Sequence, residues 1–295
     1  MLWAFCAHVF LPLFSVRHPE SWGVRLSFLL PPPRSILGAL ARGIGLILGI
    51  GSGDEKYRGE TVRNILIYAL EANGFVSVRL LSPLIKSSQM LRYVPAVEKA
   101  EPIEDPYAAH DAFKTDIVFS ADMKFLFLID VEAVNKVIQE YGLPKIDTKE
   151  VCDAIKLIDR IGPTESTCYV KTVNQLEVGQ LYTAETHTPI NTYTPYDWLE
   201  DIRGEYFIAE LLPNLRTLQS IGMITQSTIK DVQDLELRRK TIPYVFPLKH
   251  VGKSKGAEIF EPSAGFEAKL GKGYVLYAFE DETKVVLPAS EKIRT

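Results

Sequence analysis

The stretch PPPRSILGALARGIGLILGIGSG, from Pro31 to Gly53, constrains the fold more than any other part of the chain. Pro33 suits the first turn of a helix, where its missing N–H costs nothing, so we expect a helix from Pro33 through ILGALARGIGLIL that ends in GIGSG. Each glycine inside a helix costs about 1 kcal/mol relative to alanine. A packed sheet or a ligand is therefore expected close to this helix, and we interpret the glycines as allowing tight packing on the sheet.

Several classes of site are disfavoured by residue spacing. The glycines of the opening stretch do not match GxGxxG, and Gly252-Lys253-Ser254 would need the first glycine of a P-loop at Pro247. The histidines share no metal-binding spacing, no GxSxG occurs, and Cys6, Cys152 and Cys168 form no CxxC pair. The sequence therefore predicts no catalytic triad, no metal site and no cofactor, and its cysteine usage is typical of a reducing cytoplasm.

The order of the predicted elements indicates an α+β fold. A projecting hairpin is expected between Ser82 and Ser120, with the arms LIKSSQMLRYV and FKTDIVFS and an acidic tip from Pro95 to Asp111. Around it the pattern predicts strands at Met1–Val16, Phe75–Leu81, MKFLFLID and TCYVKTVNQL, and helices at Glu60–Asn73, VEAVNKVIQEYG and TKEVCDAIKLIDRIG. This order predicts a ferredoxin-like or RRM-like domain over residues 1–176, with the hairpin at about 82–120, followed by a β-rich C-terminal subdomain over residues 177–295.

Charge is informative only locally, because the whole chain has a net charge of −4. Residues 1–53 contain several arginines, with Glu20 as the only acid. Arginine binds phosphate oxygens in pairs, and Arg34 and Ser35 lie at a predicted helix start, where free N–H groups favour an anion. The candidate phosphate contacts in this region are Arg17, Arg34, Ser35 and Arg42. A solvated basic edge is the alternative interpretation.

Two further segments carry candidate nucleic-acid contacts. The hairpin arms contribute Lys86, Ser87, Ser88, Arg92 and Lys114, and the alternative is an exposed loop without a ligand. The segment RRKTIPYVFPLKHVGKSK places Tyr244 and Phe246 between basic residues, a pattern that suits base stacking in single-stranded nucleic acid, although a strand with solvated ends fits equally. Its candidates are Lys249, Lys253 and Lys255, and we expect GKSKG to form a mobile loop that closes over a nucleic-acid backbone.

Taken together, these segments resemble those of a known family. An apolar first strand, then PPPRSILGALARGIG, a long hairpin after a strand, and SADMKFLFLID resemble the family-five CRISPR-associated proteins, the RAMP-type subunits of type I Cascade, over roughly residues 1–170. IPYVFPL in a β-rich C-terminal part is similar to the archaeal type I-A branch. The resemblance implies a ferredoxin-like body with a β-hairpin thumb that holds the 5′ handle of the CRISPR RNA. The implied partners are that RNA, the neighbouring backbone subunit through the thumb, the large and small Cascade subunits, and target DNA in the assembled complex.

Three functions follow as hypotheses. The leading one is a cytoplasmic, non-catalytic CRISPR RNA-binding scaffold without a membrane partner, because most members of the family are not nucleases. One subtype cleaves precursor RNA with Tyr, Lys and His residues, so a metal-independent endoribonuclease is the alternative, although the sequence alone does not place such a triad. The third is a protein-interaction module whose hairpin docks onto a partner without touching RNA. The apolar N-terminus LWAFCAHVFLPLF lacks the basic region and cleavage site of a signal peptide.

Overall fold

The computed structural model describes residues 1–19, 24–50, 56–57, 60–93, 111–162, 166–182, 186–225 and 239–294. Almost all of the predicted hairpin tip lies outside these residues. The helices are α1 (Pro33–Ile47), α2 (Val62–Asn73), α3 (Val131–Glu140), α4 (Thr148–Lys156) and α5 (Leu215–Ser220), together with a 3-10 turn at Tyr196–Trp198. Within the described residues, no helix combines the length and apolar content that crossing a bilayer requires.

Strands make up most of the remaining regular structure. Up to residue 176 they are β1 (Trp3–Phe10), β2 (Leu13–Phe14), β3 (Val24–Arg25), β4 (Lys56–Tyr57), β5 (Glu60–Thr61), β6 (Gly74–Leu80), β7 (Leu84–Tyr93), β8 (Asp111–Phe119), β9 (Asp122–Ile129) and β10 (Tyr169–Gln175). Beyond it they are β11 (Val178–Tyr182), β12 (Thr188–Ile190), β13 (Thr194–Pro195), β14 (Leu199–Gly204), β15 (Phe207–Leu211), β16 (Ile242–Phe246), β17 (Leu248–Ser254), β18 (Ala257–Pro262), β19 (Phe266–Leu270), β20 (Tyr274–Phe279) and β21 (Lys284–Pro288). The chain thus has a mixed α+β fold, and the predicted β-rich C-terminal part is confirmed.

A four-stranded antiparallel sheet organises the first half of the chain. Its strand order is β10-β1-β9-β6, and successive residues of β1 point to opposite faces. Phe5, Ala7 and Val9 point towards the helices and join the core cluster that contains the buried sides of α1 to α4. Ala4 and Cys6 point the other way and pack with C-terminal residues in a second cluster. The second face of this sheet is therefore covered at one end by the C-terminal part.

Helix α1 begins at Pro33, as the sequence predicts, and its apolar stripe Ile36, Leu37, Leu40 and Ile44 is buried. The predicted reason for its glycines is only partly right. A Cβ atom on Gly43 would lie 2.3 Å from the carbonyl oxygen of Ala154 in α4, so it is a neighbouring helix, and not the sheet, that requires the missing side chain.

Substituting the glycines of α1 tests this packing. We expect Gly43→Ala to lower the free energy of unfolding by about 1–3 kcal/mol, since the added methyl group would collide with backbone atoms of α4. A Cβ atom on Gly38 meets nothing within 4 Å, so Gly38→Ala should raise the free energy of unfolding by up to about 1 kcal/mol. Urea unfolding measures both, and changes of the same sign would contradict the assignment.

The predicted hairpin is confirmed, but the end of it nearest Leu84 belongs to a larger sheet that includes C-terminal strands. Strands β7 and β8 pair antiparallel from Ile85 opposite Phe119 to Tyr93 opposite Asp111. The C-terminal strands β17 and β18 form their own hairpin, and β18 pairs with β7, which gives a sheet of order β17-β18-β7-β8-β2, with β3 on β8. Residues far apart along the chain, such as Lys86 and Glu258, are thereby neighbours.

Three smaller antiparallel sheets complete the C-terminal part, with orders β11-β20-β21, β12-β19-β14 and β13-β16-β15. Both hydrophobic clusters draw residues from both sides of residue 176: Phe5 packs in one with Phe246, and Ala4 in the other with Leu287. The division into subdomains at residue 176 stays a prediction.

Candidate nucleic-acid interface

The sheet that joins the thumb hairpin to the C-terminal hairpin brings several predicted contacts together. Lys253 lies opposite Glu258, which lies opposite Lys86 in the next strand, so these side chains form one row across β17, β18 and β7. Ser88 follows Lys86 two residues later, on the same face. The sequence did not predict this row, because pairing between distant strands leaves no local signal.

Lys86 is held by a buried carboxylate within this sheet. Its Nζ lies 3.1 Å from Oδ2 of Asp116, whose side chain is 3% exposed, and the Ser88 hydroxyl donates to Oδ1 of the same residue at 2.5 Å. The ammonium group is still partly open to solvent. Lys86 and Ser88 therefore form a pre-positioned polar pair, with Asp116 fixing the direction of both side chains.

The C-terminal lysines are more exposed. Lys253 Nζ lies 3.4 Å from Glu258 Oε1, and its side chain is 65% exposed. Lys255 occupies the turn of the β17–β18 hairpin, with a φ of 48°, and is exposed. GKSKG is thus the paired end of a hairpin, which differs from the loop that the sequence predicts.

Lys249 and Ser87 lie in the same sheet, but their strand parity places them on the opposite face from Lys86. Lys249 pairs with Glu205 at 2.6 Å, and the hydrogen bond to that carboxylate raises the pKa of the lysine. Arg92 and Lys114 belong to the backbones of β7 and β8, and their side chains lie outside the described part of the structure.

Arg34 occupies an interior position that the sequence did not predict. Its Nε donates to Glu71 Oε2 at 3.0 Å, and the two side chains are only 15% and 6% exposed. The predicted phosphate contact instead requires a solvent-facing guanidinium. Sequence reasoning missed this pair because Glu71 lies in α2, far along the chain. Ser35, the next residue, is half-buried in the first turn of α1.

Arg42 is the more accessible of the two helix arginines. Its side chain is 42% exposed and forms an ion pair with Asp159, which is itself 60% exposed. Arg17 is exposed and bridges to Ser27 through its backbone. Surface ion pairs of this kind contribute little to stability, so a phosphate can compete with Asp159 for Arg42.

The expectation that Tyr244 and Phe246 stack on bases does not agree with the structure. Tyr244 is 2% exposed and Phe246 is fully buried, and both rings contact Tyr193 edge-on. Burial raises the pKa of Tyr244, in keeping with a neutral phenol inside the core. Strand β16 is a core strand, so neither ring is available to a nucleic acid.

A second polar group lies on the central sheet, among residues that sequence reasoning left unassigned. His8 Nε2 lies 3.0 Å from Asp122 Oδ1, and Lys171 pairs with the same carboxylate. The Lys171 hydrogen bond and His8 lower the pKa of Asp122, against the effect of desolvation. Phe10 and Tyr169 lie beside them and are both exposed. The available signal was the two-residue spacing of His8 and Phe10, which places both on one face of β1.

A cleft of about 540 Å³ lies elsewhere, between the end of α2, α5 and the β20–β21 sheet. Arg216 lines this cleft, and Glu291 accepts two hydrogen bonds from its guanidinium, at 2.8 and 2.6 Å. The guanidinium also lies 5.2 Å from the ring of Phe75. These contacts give Arg216 a structural role. Among the described residues no group of three or more His, Cys, Asp or Glu side chains is arranged to hold a metal ion.

The chain as a whole matches no family model and no curated protein sequence. Among solved structures, it is similar to the crystal structure of a CRISPR protein from Archaeoglobus fulgidus, with 17% sequence identity and a TM-score of 0.48. That similarity covers 98% of this chain and 99% of the other.

Proposed function

We propose that the protein is a non-catalytic RNA-binding scaffold subunit of a type I Cascade interference complex, and that it holds the 5′ handle of the CRISPR RNA. The observation that carries the RNA-binding part is the row of Lys253 and Lys86 across β17, β18 and β7, with Ser88 beside it and Lys255 at the turn. These lysines place cations on one face of the sheet, where they can neutralise phosphates, and Glu258 between them is exchangeable because it pairs at the surface.

The fold supports the finer assignment. The strands of the central sheet follow one another along the chain as β1, β6, β9 and β10. Helices α1 and α2 connect the first two, α3 and α4 connect the last two, and the strand order β10-β1-β9-β6 puts the last strand beside the first. This strand order, with helices after the first and third strands, is typical of ferredoxin-like domains and supports that assignment. The β7–β8 hairpin is inserted between β6 and β9, the second and third strands of the central sheet along the chain. The sequence resemblance to the RAMP-type subunits implies a thumb at this position. The type I-A branch and the contact with a neighbouring backbone subunit rest on that resemblance.

Isolation of the protein from its native host tests the proposal. We expect the tagged full chain to co-purify with a large assembly and a short RNA population that shares one defined 5′ end, which sequencing of the bound RNA reveals. A protein-interaction module without RNA contact would give the assembly but leave its RNA unprotected by this subunit. RNA of random ends, or none, would contradict the scaffold role.

The His8–Asp122 pair supports a second candidate function, a metal-independent endoribonuclease. Lys171 and Tyr169 lie in the neighbouring strand, so a His, a Lys and a Tyr meet on one face. In such a reaction the RNA's own 2′-hydroxyl attacks the adjacent phosphorus after losing a proton to a base, and an acid protonates the departing 5′-oxygen.

Incubation of the pure protein with repeat RNA in EDTA separates the two functions. The scaffold proposal predicts intact RNA, whereas the endoribonuclease predicts cleavage at one position that His8→Ala abolishes. Cleavage that survives His8→Ala would point to a contaminating nuclease and exclude this site.

A further inference from the structure

The second face of the central sheet is covered at one end and open at the other. At the covered end, Phe75 of β6 contacts Trp198 edge-on, with 6.0 Å between the ring centroids. Ala4 and Leu128 are buried beside them. At the open end, Phe10 is 37% exposed and Tyr169 is 66% exposed. Contiguous exposed apolar surface marks interaction sites more often than single exposed apolar residues do, so this pair is a candidate contact surface.

The two aromatic residues are direct neighbours. Phe10 in β1 lies opposite Tyr169 in β10, and such pairs have Cβ atoms about 4.5–5.5 Å apart, so the two rings share one surface. The β1–β10 register shifts just before this pair, between His8 and Val9, and Lys171 falls in the shift. The Lys171 ammonium lies 5.4 Å from the centroid of the Phe10 ring. The aromatic surface therefore has a cation at its edge.

The residues next along this face are mostly basic. His8 lies opposite Lys124 in β9, which lies opposite Arg79 in β6, so one row crosses three strands. The acids near the face are engaged: Asp122 accepts from His8 and Lys171, and Asp281 pairs with Lys124 at 2.7 Å. Aromatic rings flanked by cations match a ligand that combines flat bases with a phosphate backbone.

We propose that Phe10 and Tyr169 form a stacking platform for two bases of single-stranded RNA, and that Lys171, Lys124 and Arg79 contact the adjoining phosphates. The proposal rests on the proposed RNA-binding function and adds a contact surface on the opposite side of the central sheet from α1 to α4. Four-stranded sheets of this topology offer aromatic rings to bases in other RNA-binding proteins. Because every base has a flat face, the platform is expected to tolerate any base sequence.

Binding of a short oligouridylate to the full chain tests the platform. Removing the ring under a stacked base costs about 1–3 kcal/mol, so we expect Phe10→Ala and Tyr169→Ala each to weaken binding about 5- to 150-fold. The slope of the logarithm of affinity against the logarithm of salt concentration should stay unchanged, because the same phosphates remain neutralised. Tyr169→Phe keeps the ring and should bind like the wild type.

Matched variants make the outcome decisive. Tyr196 is another exposed tyrosine, 43% exposed and in the 3-10 turn after β13, and Tyr196→Ala should leave affinity unchanged. Should the wild type bind oligouridylate while Phe10→Ala and Tyr169→Ala bind equally well, the platform is wrong and the RNA-binding function stands. If the wild type binds no oligouridylate and no repeat RNA, the underlying function itself fails. Circular dichroism of each variant shows whether a loss of affinity is caused by misfolding. Tyr169 is more exposed than Phe10, so Tyr169→Ala still tests the platform if Phe10→Ala misfolds.

Discussion

Glu71→Gln is expected to lower the free energy of unfolding by about 3–5 kcal/mol, the cost of removing one charge from a buried ion pair. Arg34 and Glu71 are 15% and 6% exposed and lie 3.0 Å apart, so the remaining guanidinium would have no ready access to water. The exposed Arg42–Asp159 pair is the control, and Asp159→Asn should change stability by less than about 1 kcal/mol.

A double substitution sharpens this prediction. Replacing both partners with apolar residues, Arg34→Met with Glu71→Leu, removes both charges. This double variant should recover most of the stability that Glu71→Gln loses. Urea unfolding of Arg34→Met, of Glu71→Leu and of the double variant gives the coupling energy between the side chains. A cost for Glu71→Gln no larger than that for Asp159→Asn would mean that the pair is solvated and that Arg34 is available to a ligand after all.

The second large effect is expected in RNA affinity. Hydrogen bonds to charged groups contribute about 1.5–3 kcal/mol, so reversing Lys86 and Lys253 to Glu should each weaken binding of repeat RNA by about tenfold or more. The salt slope should become shallower by about 0.7 for each phosphate of a single strand that is no longer neutralised. This change in slope is what distinguishes the removal of a phosphate ligand from the removal of a stacking ring at Phe10 or Tyr169.

Lys156→Glu is the matched control for charge. Lys156 lies on the exposed surface of α4, where it pairs with Asp153, far in sequence from the thumb sheet. The substitution changes net charge as each reversal does, but should leave both affinity and slope unaltered. If Lys156→Glu and Lys253→Glu weakened RNA binding equally, the binding would depend on net charge and not on a contact at Lys253.

Much of the fold could be predicted from the sequence, because it is governed by local patterns. Pro33 marks the start of α1, and the apolar run in MKFLFLID predicts β9, which the structure places at Asp122–Ile129. The pairing of β18 with β7 could not be predicted, because strand pairing is decided by shape and burial between segments far apart in sequence. The row of Lys86 and Lys253 depends on that pairing.

The candidate site shows the same limit. Arg34 has the residue type and helix position of a phosphate ligand, but in the structure it pairs with Glu71 from another helix. Tyr244 and Phe246 lie among basic residues in the sequence, yet each ring is buried against Tyr193 from a separate segment. The residue types in a segment therefore indicate which ligand it could bind, whereas burial in the fold decides which of those side chains can reach a ligand.

The most direct test of RNA binding is the affinity of the full chain for single-stranded CRISPR repeat RNA across a range of salt concentrations. The account predicts tight binding whose logarithm falls linearly with the logarithm of salt, with a slope of several multiples of about −0.7. It also predicts weaker binding to duplex DNA of the same sequence, because the Phe10–Tyr169 pair requires unstacked bases. Absence of binding at low salt, or a slope near zero, would contradict it.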